Sequence, residues 1–516
     1  MSLGDVRVRG VAGKDGKWLV RLDLRDVGQG PFDLTINGRT SKDVLVGEVW
    51  LCSGQSNMSF TQDSADDADT ECALTNRLIR CFQVGGSVSV EPVERASGRW
   101  VTVNPKDTPR MSAVGYQFAK CLHAELKRPV GFVVAAVGAS SLETWCDPET
   151  MKVDPLGKAE LDRQIEFING YRQYEERCDA ALREWEKSCG RLDRPHGGIP
   201  VAGWKPLEEK KAASFTHASG AVWFSREVKA SPGETLTFAR RRFIEQQWRF
   251  DSSSVEVYWN GCRLTRRFSA DPIDKNTEYF DVAAEMVRAE NALAVRVFNA
   301  VSIPNVFYGF WLGGRRLPYA GWSSAEEFLL KPLTSADMKS MPPTQLFCLR
   351  QHYPTGLYNG KIAGLVPMGL SGVIWYQGES NARRADAYGD LFRTFILSWR
   401  KLFRRDDLPF GWCQLAGYMR KASDADTERP DWPLLRDAQD ATLSLPMTGQ
   451  AVLIDAGESD DIHPRDKRTP GRRLAAWALN RVYGRKDFPY LGPRFDGVEP
   501  RGSSLHVRFR DVANGL

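Results

Sequence analysis

Two short segments, roughly four hundred positions apart, hold residue types that together could cleave an acyl bond. One is Gly54-Gln55-Ser56-Asn57-Met58 and the other is Asp460-Asp461-Ile462-His463-Pro464. A serine hydroxyl attacks acyl carbon only when a neighbouring base takes its proton, and Gly54 permits a tight turn that exposes the oxygen. Imidazole titrates near neutral pH, and a carboxylate accepting its second N–H would fix the tautomer and stabilise the imidazolium. The chain has six histidines: His123, His196, His217, His352, His463 and His506. Only His463 follows an apolar strand candidate (Ala451 to Ile454) and has carboxylates two and three residues before it. Each segment alone also has a plainer reading. Ser56 could sit in an ordinary turn, and 460–464 could cap a helix that contains Arg472 and Leu474.

Two further segments could hold the negative charge that develops during acyl transfer. Gly138, in Val137-Gly138-Ala139-Ser140-Ser141, closes an apolar run, where a backbone N–H can approach an oxyanion closely. Trp375-Tyr376-Gln377-Gly378-Glu379-Ser380-Asn381 offers amide side chains that could donate to the same oxygen. Glu379 could equally be an ion-pair partner.

The elements around these residues alternate between strand and helix. Gly47 to Cys52 reads as a short apolar strand running into Ser56. Val114, Phe118, Leu122 and Leu126 recur at helical spacing behind Ser112, a fitting N-cap. Pro129 to Val137 and Gly372 to Tyr376 read as buried strands, and Tyr388 to Leu402 as a helix. Strand, helix, strand with a loop after each strand predicts an α/β domain with a parallel sheet, whose functional loops gather at the carboxyl ends of the strands. Residues 17–50 add short alternating segments, such as Trp18 to Leu22, that read as strands. From about 155 to 190 the chain is polar and helical. Between about 200 and 335 it turns to β texture (Ala221–Phe224, Leu236–Phe238, Val255–Trp259, Leu293–Val297), and Asn260-Gly261 marks a hairpin. The expected organisation is an N-terminal β segment (1–43), a catalytic domain in two parts (44–195 and 339–490), an all-β insert (196–338) and a C-terminal β segment (491–516).

Composition narrows the class. Over 516 residues, 42% apolar and 26% charged content is that of a globular protein. The 70 basic and 65 acidic residues nearly balance, and Arg240-Arg241-Arg242, Arg383-Arg384 and Arg472-Arg473 read as solvated faces, so no nucleic-acid partner is expected. No run is apolar enough to span a bilayer. The ten cysteines include no CxxC pair, which speaks against a structural zinc site and leaves pairing open. Met1-Ser2-Leu3-Gly4 does not open a signal peptide. Leu505 to Phe509 alternates like a strand just before the chain stops, so a longer protein is expected.

In order along the chain, these blocks resemble those of SGNH hydrolases and, more narrowly, the sialate O-acetylesterase family of carbohydrate acetylesterases. The blocks are Gly54 to Met58, Val137 to Trp145, Trp375 to Asn381 and Asp461-Ile462-His463-Pro464-Arg465-Asp466-Lys467. The similarity extends to Leu357-Tyr358-Asn359-Gly360 and Leu435-Arg436-Asp437-Ala438-Gln439. The resemblance implies a three-layer α/β/α catalytic domain with Ser56 as nucleophile and His463 as base and then acid. It implies an oxyanion hole from the N–H groups of Ser56 and Gly138, and no metal or organic cofactor. Two departures from the family pattern matter. Gly138-Ala139-Ser140 stands where Gly-Gly-Thr is frequent, and Gly378-Glu379-Ser380-Asn381 replaces the Gly-x-Asn-Asp of the wider class. Gln377 is therefore favoured as the oxyanion amide, with Asn381 second. Asp460 has the Asp-x-x-His spacing and is favoured over Asp461 as the orienting acid. Gln55, Asn57 and Glu379 are candidates for substrate contact. The β insert resembles sugar-binding sandwich modules, and the resemblance points to a secreted or periplasmic setting.

The reading is thus a serine esterase acting on O-acetyl esters of carbohydrates, O-acetyl sialic acid first and acetylxylan or another polysaccharide second. A sialic acid pocket should hold an arginine near Ser56, with Arg383 and Arg436 as candidates. A catalytically silent carbohydrate-binding protein is the alternative from another class. A structural surface protein would leave the four polar blocks without a role.

Overall fold

The computed structural model describes residues 1–14, 16–153, 198–207, 220–240, 253–268, 277–299, 307–318, 320–329, 352–419 and 431–512, with scattered positions between 157 and 185. His196, His217, Arg241, Arg242 and most of the helical stretch read over 155–190 lie outside the described residues. The chain forms two compact units, one from residues 1–161 and 351–516, the other from 162–350.

The first unit is built on a seven-stranded sheet. Its strands are β1 (Glu48–Gly54), β2 (Asn76–Val84), β3 (Gly98–Val103), β4 (Val130–Ala136), β5 (Gly372–Tyr376), β6 (Phe410–Cys413) and β7 (Thr448–Ala451). They lie in the order β7-β6-β5-β1-β4-β2-β3. All neighbours are parallel except the edge pair β2 and β3. The chain fills one side of β1 and then crosses to the other, so the switch in strand order falls beside β1. Register pairs Tyr376 with Gly54 and Gly54 with Ala136, so three strands end level with one another. Loops from these three ends carry Ser56, Gly138 and Gln377. That is where an open parallel sheet places a ligand site.

Alternation along the strands serves both faces of the sheet. Trp50, Cys52, Ile374 and Tyr376 share a core with Val114, Phe118 and Leu122 of helix α1 (Ala113–Leu126) and Leu474 and Trp477 of helix α2 (Arg468–Arg481). On the other face Trp375 and Phe410 meet Phe395 and Trp399 of the helix Ala385–Leu402, with ring centroids 4.6–6.5 Å apart. Ser112 starts α1 as expected, its side chain accepting from the Gly115 N–H at 3.1 Å. The result is a sheet covered by helices on both sides.

Two sequence expectations shift. Residues 17–24 lie in no strand, and Trp18 and Leu19 are about half exposed, because no neighbouring strand supplies a ladder for that alternating segment. The strand expected over Ala451–Ile454 ends at Ala451, and Val452 and Ile454 are exposed. A small antiparallel sheet (Ser2–Leu3, Val6–Arg7, Phe32–Ile36, Arg39–Val44) opens the chain, and a hairpin (Arg494–Arg501, Ser504–Arg510) closes it.

The second unit holds a six-stranded and a five-stranded antiparallel sheet. Phe224, Val257, Trp259 and Val295 of the larger sheet share one apolar core with Leu236, Phe280, Phe310 and Leu312 of the smaller. Asn260 and Gly261, at φ +49° and +86°, make the tight turn between Trp259 and Cys262.

Candidate active site

Ser56 opens a four-residue helical turn directly after β1 and Gln55. As the first residue of that turn its N–H has no intrahelical acceptor. Gly54 makes the bend possible. It adopts φ +132°, and a Cβ there would fall 2.1 Å from the Tyr376 carbonyl oxygen. The Gln55 N–H donates to that same oxygen at 2.8 Å, so the turn is pinned to the end of β5. Ser56 is half-buried, whereas its neighbours Gln55 and Asn57 are buried.

Gly138 lies against Ser56. A Cβ built on it would stand 3.5 Å from the Ser56 Cβ. The Gly138 N–H donates to no backbone carbonyl among the described residues. Beside it, the Ala139 carbonyl accepts from His352 Nε2 at 2.7 Å. His352 was set aside in the sequence because no strand precedes it, and only the fold brings it to this loop.

Gln377 and Asn381 are near these loops, but their amides are engaged with each other. Gln377 Nε2 donates to Asn381 Oδ1 (2.7 Å) and to the Ser140 carbonyl (3.2 Å), which uses both hydrogens. Its Oε1 accepts from the Tyr388 hydroxyl at 3.0 Å. Asn381 Nδ2 donates to Glu143, and its Oδ1 accepts from the Leu142 N–H as well. In this geometry Gln377 keeps no hydrogen for an oxyanion, and the Asn381 amide nitrogen faces the Glu143 carboxylate. Both hold the 138–145 loop against β5. The block 435–439 supports the same region, since Gln439 Nε2 donates to the Gln377 carbonyl at 3.2 Å. Arg436 donates to the Leu415 and Ala416 carbonyls, each at 2.8 Å, and so is tied to main chain.

Among the expected substrate contacts, Asn57 and Glu379 are hydrogen-bonded to each other within the protein, and Gln55 engages the protein through its amide oxygen. Gln55 Oε1 lies 3.4 Å from the N–H groups of Gly378 and Ser380. Asn57 is 1% exposed and uses both ends of its amide. Its Nδ2 donates to Glu379 Oε1 (2.7 Å) and to the Ile462 carbonyl (3.0 Å), while its Oδ1 accepts from Lys467 Nζ (2.7 Å). Residues adjacent to Ser56 and His463 are therefore hydrogen-bonded directly to each other. That contact joins the two chemically suggestive segments.

His463 is half-buried on the strap between β7 and α2. Burial draws its pKa below the usual imidazole value, against the pull of the Asp461 carboxylate, and the Lys467 cation adds to the lowering. Asp461 Oδ1 accepts from the His463 N–H at 2.8 Å and lies 3.7 Å from its Nδ1. Asp460, the expected orienting acid, and Asp461 are both exposed, and the Asp461 charge acts on the ring. Just before α2, Asp466 Oδ1 accepts from the Thr469 N–H at 2.9 Å, while the residue at the N-cap position is Lys467.

Lys467 is the site residue that sequence reasoning passed over. It is 1% exposed, and burial lowers its pKa to about 8 although Glu379 opposes the shift. The ammonium also donates to the Pro464 carbonyl and lies over the Phe60 ring at 4.4 Å. Glu379 Oε2 is buried without a hydrogen-bond partner, and burial raises its carboxyl pKa. The one available sequence signal was a lysine four residues after a histidine at a helix start, which is too common to single out. Chemically, a half-buried hydroxyl, a neighbouring glycine N–H and an imidazole beside a carboxylate suit acyl transfer.

Fold and site together define an α/β protein with a serine at the carboxyl edge of a parallel sheet. Residues 353–479 match the family model for carbohydrate esterase, sialic acid-specific acetylesterase. Human sialate O-acetylesterase is 33% identical over 200 residues, 35% of this chain and 37% of that protein. The mouse protein is 38% identical over 151 residues, 27% of this chain and 28% of its own length. The chain thus spans well under half the length of these curated relatives. A carbohydrate acetylesterase from Xanthomonas citri shares the fold, with TM-score 0.54 and 24% identity over 96% of this chain and 70% of that one. These matches support the resemblance read from the sequence, over residues 353–479 for the sialic acid-specific acetylesterase family of carbohydrate esterases. Among the described residues, no helix is long and apolar enough to cross a membrane.

Proposed function

We propose that the protein is a serine esterase that removes acetyl groups from carbohydrate, with O-acetyl sialic acid as the substrate class. The observation that carries the reading is the 3.0 Å hydrogen bond from Asn57 to the Ile462 carbonyl, which joins the neighbours of Ser56 and His463. Ser56 Oγ attacks the acetyl carbonyl carbon while His463 takes its proton. The oxyanion is held by the N–H groups of Ser56 and Gly138. The C–O bond to the sugar then breaks, and His463 gives its proton to the departing oxygen. Water attacks the acetyl-serine, His463 takes a proton from it and returns one to Ser56, and acetate leaves.

Asp461 serves as the orienting acid in this scheme, on the strength of its 3.7 Å approach to the ring. Gln377 and Asn381 shape the oxyanion loop from behind. The catalytic domain spans 44–195 and 339–490 in two parts, and the β insert 196–338 acts as a sugar-binding sandwich, a reading supported by the core its two sheets share.

The test is turnover of O-acetyl sialic acid and acetylated xylan side by side, in the wild-type protein and Ser56→Ala. The reading expects faster release of acetate from the sialic acid and a loss of several orders of magnitude in the variant. Faster xylan turnover would transfer the substrate to plant polysaccharide. No acetate release from either would favour a silent binding protein.

A further inference from the structure

We propose that Asn57, Lys467 and Glu379 form a buried positioning clamp that holds the Ser56 turn and the His463 strap in reacting register. The inference deepens the esterase reading and rests on it. Three chain segments, distant in sequence, meet at one amide. Asn57 lies on the Ser56 turn, Glu379 follows β5, and Lys467 stands at the start of α2, four residues after His463. Every polar atom of the Asn57 side chain is used between them, with contacts of 2.7 Å to Glu379 and to Lys467 and 3.0 Å to the Ile462 carbonyl.

Such a cluster is costly to bury. An ammonium or carboxylate removed from water loses several kcal/mol of hydration, by about the amounts known for buried ions, unless it is paired and hydrogen-bonded. Here the pairing runs through a neutral amide, so the three groups need one another's positions. Lys467 donates to Asn57 and to the Pro464 carbonyl, which ties the residue after His463 to the residue after Ser56. The Phe60 and Tyr376 rings lie 4.4 and 5.9 Å from the ammonium. None of the three touches a reacting atom in this arrangement. They act through Ser56 and His463, and misplacement by about 1 Å in such a constellation costs on the order of 10²-fold in rate.

Glu379, Glu458 and Asp461 face the Lys467 cation, burial keeps the nearby Cys413 thiol neutral, and Asp461 and Lys467 act on His463. Removing the Lys467 cation therefore raises the His463 pKa and moves the acid limb of the rate profile to higher pH. The limb shift reads the charge, and a fall in kcat at little-changed KM reads the positioning.

The experiment uses the double variant Lys467→Met/Glu379→Gln, which removes both buried charges together, beside Lys467→Met alone. Turnover of 4-nitrophenyl acetate is followed from pH 4 to 9, with Ser56→Ala as control. The clamp predicts that the folded double variant loses kcat by about 10²-fold with KM within a few-fold of wild type, and that its acid limb moves upward. If Lys467→Met alone fails to fold, the double variant still decides. A double variant with kcat and acid limb unchanged, while Ser56→Ala is inactive, overturns the clamp and leaves the esterase reading intact. A Ser56→Ala protein with wild-type turnover overturns the esterase reading and the clamp with it.

Discussion

Gly54→Ala tests how tightly the turn before Ser56 is bound to its neighbouring strand. At φ +132° an alanine is strained, and such a conformation costs about 1–3 kcal/mol for a residue with a side chain. The added methyl would fall 2.1 Å from the Tyr376 oxygen, and real Cβ atoms do not approach closer than 3.0 Å. The ends of β1 and β5 must therefore part. Parting breaks the 2.8 Å bond from the Gln55 N–H to Tyr376, worth about 0.5–1.5 kcal/mol net. Together the two effects predict a loss of about 2–4 kcal/mol, measurable by urea unfolding followed through tryptophan fluorescence. Ser56 moves with the strand end, so turnover of 4-nitrophenyl acetate should fall by about 10²-fold. A Gly54→Ala protein within about 0.5 kcal/mol of wild type and with full turnover would show that the strand ends tolerate the methyl.

Other consequences can be measured in the same protein. Asp461 raises the His463 pKa against the lowering by burial, so Asp461→Asn should move the acid limb of kcat/KM toward acid. Protonated His463 is no base, so activity rises with pH through that limb. Tyr388→Phe strips a donor from the buried Gln377 Oε1 and should cost about 1–3 kcal/mol in urea unfolding. Trp399→Ala opens a cavity among Trp375, Phe395 and Phe410 and should cost about 3–5 kcal/mol by the same measurement.

Periodicity made the sheet legible. Gly372 to Tyr376 is a strand over the residues expected, and Ser112 caps the helix that its spacing implies. Both depend on local pattern and burial, which a sequence carries directly. Residues 17–24 misled because alternation is only half of a strand, and the other half is a partner that no local pattern reveals. The proposed nucleophile and base could be nominated for a similar reason. Ser56 and His463 have residue types suited to their chemistry and follow apolar runs. Their supporting groups were not legible. Asn57, Gln377 and Glu379 have the same amides and carboxylate whether they face a sugar or one another, and only the fold decides which. Lys467 escaped because a buried lysine looks like an exposed one until its partners from 57 and 379 arrive.

The central claim is that the Ser56 hydroxyl is activated by His463. The most direct measurement is the rate of covalent labelling of Ser56 by an organophosphonate, read by mass spectrometry in wild type and in His463→Ala. The account predicts stoichiometric modification at Ser56 in the wild type and labelling slower by about 10³-fold or more in the variant. Equal rates in the two proteins, or an adduct on a different residue, would contradict it.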